Sequence, residues 1–347
     1  MPSAVPSAAA AARLLRTHLV FGANTDVGKT VVTAGLLRAR LLKASAAAGA
    51  ADAAAVASPA THYIKPLQCG GSDEGWVRRH AEIASTATDS TPVASYSAQT
   101  LFRWEMASSP HLSSRVEKAP VSDDAILKSL TDALTTMEDE SVAHSGEAIV
   151  QSSSILVETA GGVLSPSSAS PDNSLTTHAR GVPSSDEGGS DPLSWGWSTQ
   201  ADLYQPLGLA VVLVGDGRLG GISCTLTALE SLAVRGYDVH GIVVVDDGGG
   251  YGNVSALREY AASQSSSHVR GQEFPFARQT YQVDPVKSIL SLPPLPLEPE
   301  PLTSWYQSAE IEGGLGAFED RLEYLWNKER GREDQLSSQG YFTLPPV

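Results

Sequence analysis

The chain has 347 residues, with 39 acidic against 24 basic side chains and a net charge of −15. That balance argues against nucleic acid and anionic membrane as partners, and no apolar run approaches the roughly 20 residues of a membrane span. Two cysteines, Cys69 and Cys224, lack metal-ligand spacing and are too few for a disulfide framework, which suits a reducing compartment.

Residues 1–16 are rich in Ala and Ser, carry Arg13 and Arg16 and contain no acid. They read as an N-terminal tail, either frayed or a weak mitochondrial-type targeting segment, with the cytoplasm as the other location. An apolar run ending in Leu19-Val20-Phe21 then feeds Gly22-Ala-Asn-Thr-Asp-Val-Gly28-Lys29-Thr30, and a helical pattern over 31–42 leaves it. Strand, glycine-bounded loop, Gly-Lys-Thr and helix make the layout of a phosphate-binding loop. Glycines let the backbone curl until successive N–H groups face phosphate oxygens, and the helix N-terminus adds its positive dipole end. Lys29 reaches the outer phosphates in such a loop, and the Thr30 hydroxyl sits on Mg²⁺. Gly22 stands one residue further from Gly28 than the strict pattern allows. A glycine turn capping a strand is the bland alternative.

Residues 44–57, mostly small, read as a loop insertion or ragged helix end. A second strand is expected near His62-Tyr-Ile-Lys65-Pro66, stopped by the proline. Lys65 then lies at a strand's C-terminal edge, where ligands bind in parallel α/β sheets, although a solvated strand-end lysine is the more ordinary reading there. Asp73 precedes a helical stretch over 74–85, as an N-cap or as a carboxylate of a metal shell. Ser109-Pro110-His111 opens another segment. Helical periodicity over 122–137 places Ile126, Leu130 and Leu134 on one face.

A short apolar strand, Ser154-Ile-Leu-Val157, ends in Glu158 and is followed by Gly161-Gly162. A carboxylate at the tip of a buried strand is where nucleotide-binding sheets hold Mg²⁺; an ordinary charged strand end is the alternative. Residues 165–198 read as a long mobile insertion, with Trp195 and Trp197 marking the return to the fold. The run 205–214 suits a strand buried on both faces. Leu219-Gly220-Gly221-Ile-Ser223 leads into a helix over 224–233, with Ser223 as N-cap and the helix N-terminus open to an anion. Another buried strand covers 239–245 and ends at Asp246-Asp247. A final strand falls within 286–292, prolines follow, and 315–330 is helical. At least five apolar strands alternate with helices, which implies an α/β fold of P-loop NTPase-like type. It would have a mostly parallel central sheet with helices on both faces.

Several of these segments together resemble dethiobiotin synthetase. The stretch 22–30 has that family's longer glycine spacing. Tyr63-Ile-Lys65-Pro66-Leu-Gln-Cys69-Gly70, Ser109-Pro110-His111 and Val157-Glu158-Thr-Ala-Gly161-Gly162 match its further motifs. The stretch from Asp202-Leu-Tyr to Gly221-Ile-Ser223 is similar to the synthetase part of a eukaryotic fusion protein, in which a diaminopelargonic acid aminotransferase follows. On this likeness 17–296 form the synthetase-like domain and 297–347 a C-terminal extension or shortened linker.

The resemblance implies ATP- and Mg²⁺-dependent ring closure of 7,8-diaminononanoate with CO₂ to dethiobiotin, ADP and phosphate. It assigns Lys65 to the carbamate, Lys29 to phosphates and carbamate, and Thr25 to substrate contact, so these three carry catalysis. It gives Thr30, Asp73 and Glu158 to Mg²⁺. The nucleotide would touch Asp26, Val27, Gly28, Lys29, Thr30, Val31, Asp73, Glu158, Gly161 and Asp246. The substrate would touch Thr25, Lys65, Cys69, Gly162, Leu219, Gly220 and Ser223, the last three from the other subunit of a homodimer. An aminotransferase, as domain or separate protein, is the implied macromolecular partner. Three departures stand out. Asn24 replaces an Asp, Cys69 replaces a Ser or Thr that contacts substrate, and Val245 replaces an Asn that reads adenine, which leaves base preference open. A related deviant P-loop ATPase is one alternative, although its signature lysine is missing from Ala23-Asn24. A non-catalytic scaffold for the aminotransferase is the other.

Overall fold

The computed structural model describes residues 15–50, 60–81, 96–143, 153–173, 192–266, 288–296 and 302–338. Among these residues, seven strands form one sheet in which every pairing is parallel, in the order β3-β2-β4-β1-β5-β6-β7. The strands are β1 (Arg16–Gly22), β2 (Thr61–Cys69), β3 (Tyr96–Trp104), β4 (Ser154–Gly162), β5 (Ala210–Gly215), β6 (Val239–Val245) and β7 (Ile289–Leu292). The central strands β1, β4 and β5 are buried at almost every position. That is the consequence of near-continuous apolar sequence in a sheet covered on both faces.

The helices are α1 (Lys29–Ala50), α2 (Asp73–Ala81), α3 (Pro110–Val116), α4 (Asp123–Ala143), α5 (Gln200–Tyr204), α6 (Gly221–Val234), α7 (Asn253–Ser266), α8 (Leu302–Tyr306) and α9 (Ala309–Ser338). One face of the sheet packs Phe21, Val157 and Leu213 against Ile126, Leu130 and Leu134 of α4 and Leu229 and Leu232 of α6. The other packs Val20, Leu156 and Val212 against Leu36 and Leu37 of α1 and Leu315, Phe318 and Leu322 of α9. The α/β fold class expected from the strand–helix alternation is therefore observed. No described helix is long and apolar enough to cross a membrane.

Several local expectations are corrected. Arg16, placed in the tail, opens β1 and is buried. Helix α1 runs through 44–50, because alanine is the strongest helix former. Pro66 does not stop β2, which continues to Cys69. The β4 side of β2 is paired only as far as Ile64↔Val157, so the missing proline N–H removes no rung from that ladder. The ends of the 165–198 segment are packed: Ser167, Ser168, Ala169 and Ser170 are buried, and Pro166 and Ser170 bridge Thr199 and Gly196. Residues 174–191 lie outside the described part. Ser223 sits inside α6, whose N-cap position is Gly220 in the left-handed region at φ 88°. Within 302–338, Tyr306, Ile311, Leu315 and Phe318 pack into the second core.

Candidate active site

The site grows out of a split in the sheet. Strands β2 and β4 pair up to Ile64↔Val157. Beyond that point β2 stays with β3, while β4 stays with β1 to Glu158 and, after a register shift, Gly162. The next residues on the two parting strands are Lys65 and Glu158, and they meet across the gap. Lys65 Nζ lies 2.9 Å from Glu158 Oε1 and 2.7 Å from Asp73 Oδ2, and it donates to the Thr159 carbonyl at 3.2 Å. Thr30 Oγ1 donates to the same Glu158 oxygen at 2.8 Å, and the Tyr63 hydroxyl donates to the other at 3.2 Å. Lys65 and Glu158 therefore sit inside their strands and not at the tips; each strand runs four residues further.

Asp73 is free for this cluster because Ser72 does the capping. Ser72 Oγ accepts from the Gly75 N–H at 2.9 Å, and Asp73 is the first residue of α2. The aspartate expected as N-cap thus turns its carboxylate to Lys65.

The loop between β1 and α1 is tied down at its start. The Ala23 N–H donates to the Val214 carbonyl at 2.8 Å, and the Val163 N–H donates to the Gly22 carbonyl at 3.0 Å. It then turns through left-handed backbone at Asp26 (φ 57°) and Gly28 (φ 89°), the alternation that makes a concave row of N–H groups. Gly22 has its own reason to be glycine. A Cβ there would lie 2.7 Å from the Asn24 carbonyl oxygen and 3.0 Å from the Lys29 ammonium. The Lys29 side chain folds back over Gly22 and donates to the Asn24 carbonyl at 3.4 Å.

The two lysines differ electrostatically. Burial, then the Lys65 charge, brings Lys29 down to about 8. Burial acts on Lys65 in the same direction, but Glu158 and Asp73 outweigh it and hold its pKa above the ordinary value. Both are cations at neutral pH. Burial, then Glu158, keeps the Tyr63 phenol well above its usual range.

Lys29, Thr30, Lys65, Asp73 and Glu158 are thus brought together. Gly161 and Gly162 border the loop: a Cβ on Gly162 would meet Ala23 O and Asn24 Cα at 3.3 Å, and one on Gly161 would lie 3.7 Å from Thr25 Oγ1. Cys69 ends β2 beside Ser113, its thiol raised by burial. Val245 faces Gly28, within 3.2 Å of a Cβ built there. The Asp246 carboxylate accepts from the Gly248 N–H at 2.8 Å. Leu219 and Gly220 lie on the turn into α6 and Ser223 in the helix's first turn, and Leu219 is 80% exposed.

Two contributors were missed in the sequence. Tyr63 braces Glu158. Arg218, paired with Asp216 at 2.8 Å, donates to the Thr25 carbonyl at 3.3 Å, and Asn253 holds the Arg218 carbonyl at 2.8 Å. Asp216-Gly-Arg218 follows the C-terminal end of β5, so the strand-end rule that singled out Lys65 would have found it.

A parallel sheet with a Gly-Lys-Thr loop at a strand end, opening onto a helix N-terminus beside a buried carboxylate, defines a P-loop nucleotide-binding protein of the α/β class. No family model matches the chain. It is 31% identical to a bifunctional dethiobiotin synthetase/adenosylmethionine-8-amino-7-oxononanoate aminotransferase of Emericella nidulans, over 98% of this chain and 34% of that protein. It is 30% identical to a bifunctional dethiobiotin synthetase/7,8-diamino-pelargonic acid aminotransferase of Oryza sativa subsp. japonica, labelled mitochondrial, over 94% and 36%. An ATP-dependent dethiobiotin synthetase BioD of Phenylobacterium zucineum is 29% identical, over 65% of this chain and 74% of that protein. The chain spans about a third of the length of the bifunctional relatives. It is a homologue of the dethiobiotin synthetases, as the motifs implied.

Proposed function

We propose that the chain acts in biotin biosynthesis as a dethiobiotin synthetase. One amine of 7,8-diaminononanoate attacks CO₂ to give a carbamate. The γ-phosphoryl group of ATP passes to a carbamate oxygen and ADP leaves. The second amine then attacks the carbonyl carbon, phosphate departs with that oxygen, and the five-membered urea closes. The observation that carries this reading is the Lys65–Glu158 pair in the sheet split, joined by Thr30 and Asp73 and next to a phosphate-binding loop.

The chemistry needs charge management more than proton transfer. Lys65 would clamp the carbamate and Lys29 the transferring phosphoryl group; both are cationic at neutral pH, which suits clamps and not bases. Thr30, Asp73 and Glu158 offer the hard oxygen donors that Mg²⁺ selects. The two carboxylates already flank a positive charge, the Lys65 ammonium, which supports their fitness for a cation. Mg²⁺ bound there would neutralise charge developing on the phosphate oxygens. Thr25, beside Gly161 and Gly162, would position the substrate. Exposed Leu219, with Gly220 and Ser223, would reach the substrate of a second copy in a homodimer. The plant relatives' label supports a mitochondrial location, and the bifunctional relatives support an aminotransferase partner.

Single-turnover product analysis tests the proposal. The protein is given 7,8-diaminononanoate, bicarbonate, Mg²⁺ and ATP, with Lys65→Ala alongside. Dethiobiotin from the wild-type chain and none from the variant is the expected result. Nucleotide hydrolysis without ring closure would replace this reading with that of a related P-loop ATPase, and no turnover from folded protein would leave a scaffold.

A further inference from the structure

At the N-terminal edge of the sheet, opposite the candidate active site, lies a second cluster that the proposed reaction does not use. His18 is the third residue of β1 and His240 the second of β6. The strand between them, β5, places Ala210 beside His18, a side chain small enough to let the two imidazoles reach each other. His18 Nε2 and His240 Nδ1 are 3.0 Å apart, with both rings buried. The other nitrogen of His240, Nε2, faces two carboxylates: Glu329 Oε1 of α9 at 2.9 Å and Asp238 Oδ2 at 3.9 Å. The three prospective ligand atoms lie within 4.8 Å of one another. Among the described residues, no other trio of His, Cys, Asp and Glu converges in this way.

We propose that Asp238, His240 and Glu329 bind a divalent transition-metal ion, Zn²⁺ foremost, that ties α9 to the N-terminal edge of the sheet. Three arguments carry it. One imidazole nitrogen with two carboxylates is a donor set that Zn²⁺ accepts and that all-oxygen ions such as Mg²⁺ and Ca²⁺ do not favour. Zn–N and Zn–O bonds of about 2.0–2.2 Å at tetrahedral angles place donors about 3.3 Å apart. The two observed separations from His240, 2.9 and 3.9 Å, bracket that value. The hydrogen bond on the far side of His240 is the third argument. Metal-binding histidines fix their ring by donating the other N–H to a neighbour. Without metal the Nε2–H donates to Glu329 at 2.9 Å; with an ion bound the proton would move to Nδ1, donated to His18, and the Nε2 lone pair would face the ion.

Arg321 also faces His240. The Asp238 and Glu329 carboxylates supply the negative charge that attracts an incoming dication. A water or anion would complete the coordination.

The test uses the whole chain with millimolar Mg²⁺ throughout, so that the oxygens near Lys65 do not take up the probe. Zn²⁺ is titrated by calorimetry and Co²⁺ by its visible absorption. The comparison is Asp238→Asn/Glu329→Gln. Both side chains are more than a third exposed, at 42% and 37%, so the fold tolerates the change; circular dichroism and Tm without metal verify this. One equivalent of Zn²⁺ is expected on the wild-type chain, with a Co²⁺ band that Zn²⁺ abolishes. The double variant should bind at least about 100-fold more weakly, the upper end of what loss of mere supporting contacts costs. Zn²⁺ should raise the Tm of the wild type only. His18→Gln, which alters the supporting hydrogen bond, should weaken binding by about tenfold. Equal binding by wild type and double variant would overturn the proposal, as would the absence of a saturable equivalent on the wild type.

Discussion

Two clusters of buried charge sit at opposite ends of the same sheet and behave differently. At the N-terminal edge, Glu319 of α9 meets Arg16 of β1 at 2.5 Å and Arg40 of α1 at 3.0 Å, and all three are buried. Its partners are locked in by packing. At the C-terminal edge, Lys65, Glu158 and Asp73 are equally close, but they lie where two strands part and where a loop turns its N–H groups outward. Burial and ion pairing are common to both. What separates a strut from a candidate catalytic group is the surrounding backbone: of the two clusters, the Lys65 one lies at a strand split beside the phosphate-binding loop. Burial brings Arg40 down to about 10 even with Glu319 against it, so a perturbed pKa alone would not tell the two apart.

Substitutions can break this comparison. Glu158→Gln should lower dethiobiotin formation by about 10³-fold, near the upper value for losing one preorganised electrostatic group, while the folded protein persists. Glu319→Gln should do the reverse. It leaves two buried arginines short of their carboxylate, costing about 3–5 kcal/mol of stability in denaturant unfolding, with turnover of the remaining folded protein unchanged. A Glu319 variant that is stable but inactive would erase the distinction.

Lys29 sharpens it through pH. Below about pH 8 the folded chain carries its proton. Affinity for ATP should therefore fall by up to about tenfold per unit above pH 8, measured by calorimetry. Stability runs the other way. Between 8 and the ordinary lysine value of 10.5 the unfolded chain holds a proton that the folded chain has lost. The contribution of this group to ligand-free stability thus rises across that window, and Lys29→Met should remove the rise. Smaller still, Val245→Asn should shift preference toward ATP over CTP by about tenfold, or about 1.4 kcal/mol, in competition assays. Ser72→Ala, which removes the cap of α2, should cost about 1 kcal/mol in thermal unfolding and loosen Asp73 without abolishing turnover.

The strands that the sequence made legible are the ones buried on both faces. The run 239–245 coincides with β6, and the apolar stretches around 19–21 and 154–157 lie within β1 and β4. Strand β3 was not foreseen. It is an edge strand, half-buried, and Tyr-Ser-Ala-Gln-Thr-Leu-Phe-Arg-Trp has neither a continuous apolar run nor clean alternation. The boundaries of β2 were lost to Pro66, which reads as a terminator unless the neighbouring ladder is known to have ended. In the site, Lys29, Thr30 and Glu158 announce themselves by local pattern, because phosphate-loop chemistry is contiguous in sequence. The Arg16–Glu319 and Arg40–Glu319 pairs are invisible, since nothing local at position 16, 40 or 319 encodes a partner nearly 300 residues away. Arg218 was hidden for a milder reason. Its place just after β5 marks it by the strand-end rule, but its partner, the Thr25 carbonyl, is a backbone group that leaves no signature in sequence.

The seam between α1 and the chain's last helices bears on how the protein is made. Gly35 has no Cβ because Leu315 and Tyr306 press against it, at 2.7 and 3.2 Å from where one would be. The Tyr306 hydroxyl donates to the Val31 carbonyl, 275 positions away, at 2.7 Å. Lys29 and Thr30 are translated well before the wall behind their helix, which follows some 275 positions later. Contacts this distant in sequence form slowly, and early segments wait exposed until their partners emerge. The nucleotide loop thus emerges long before the residues that brace its helix.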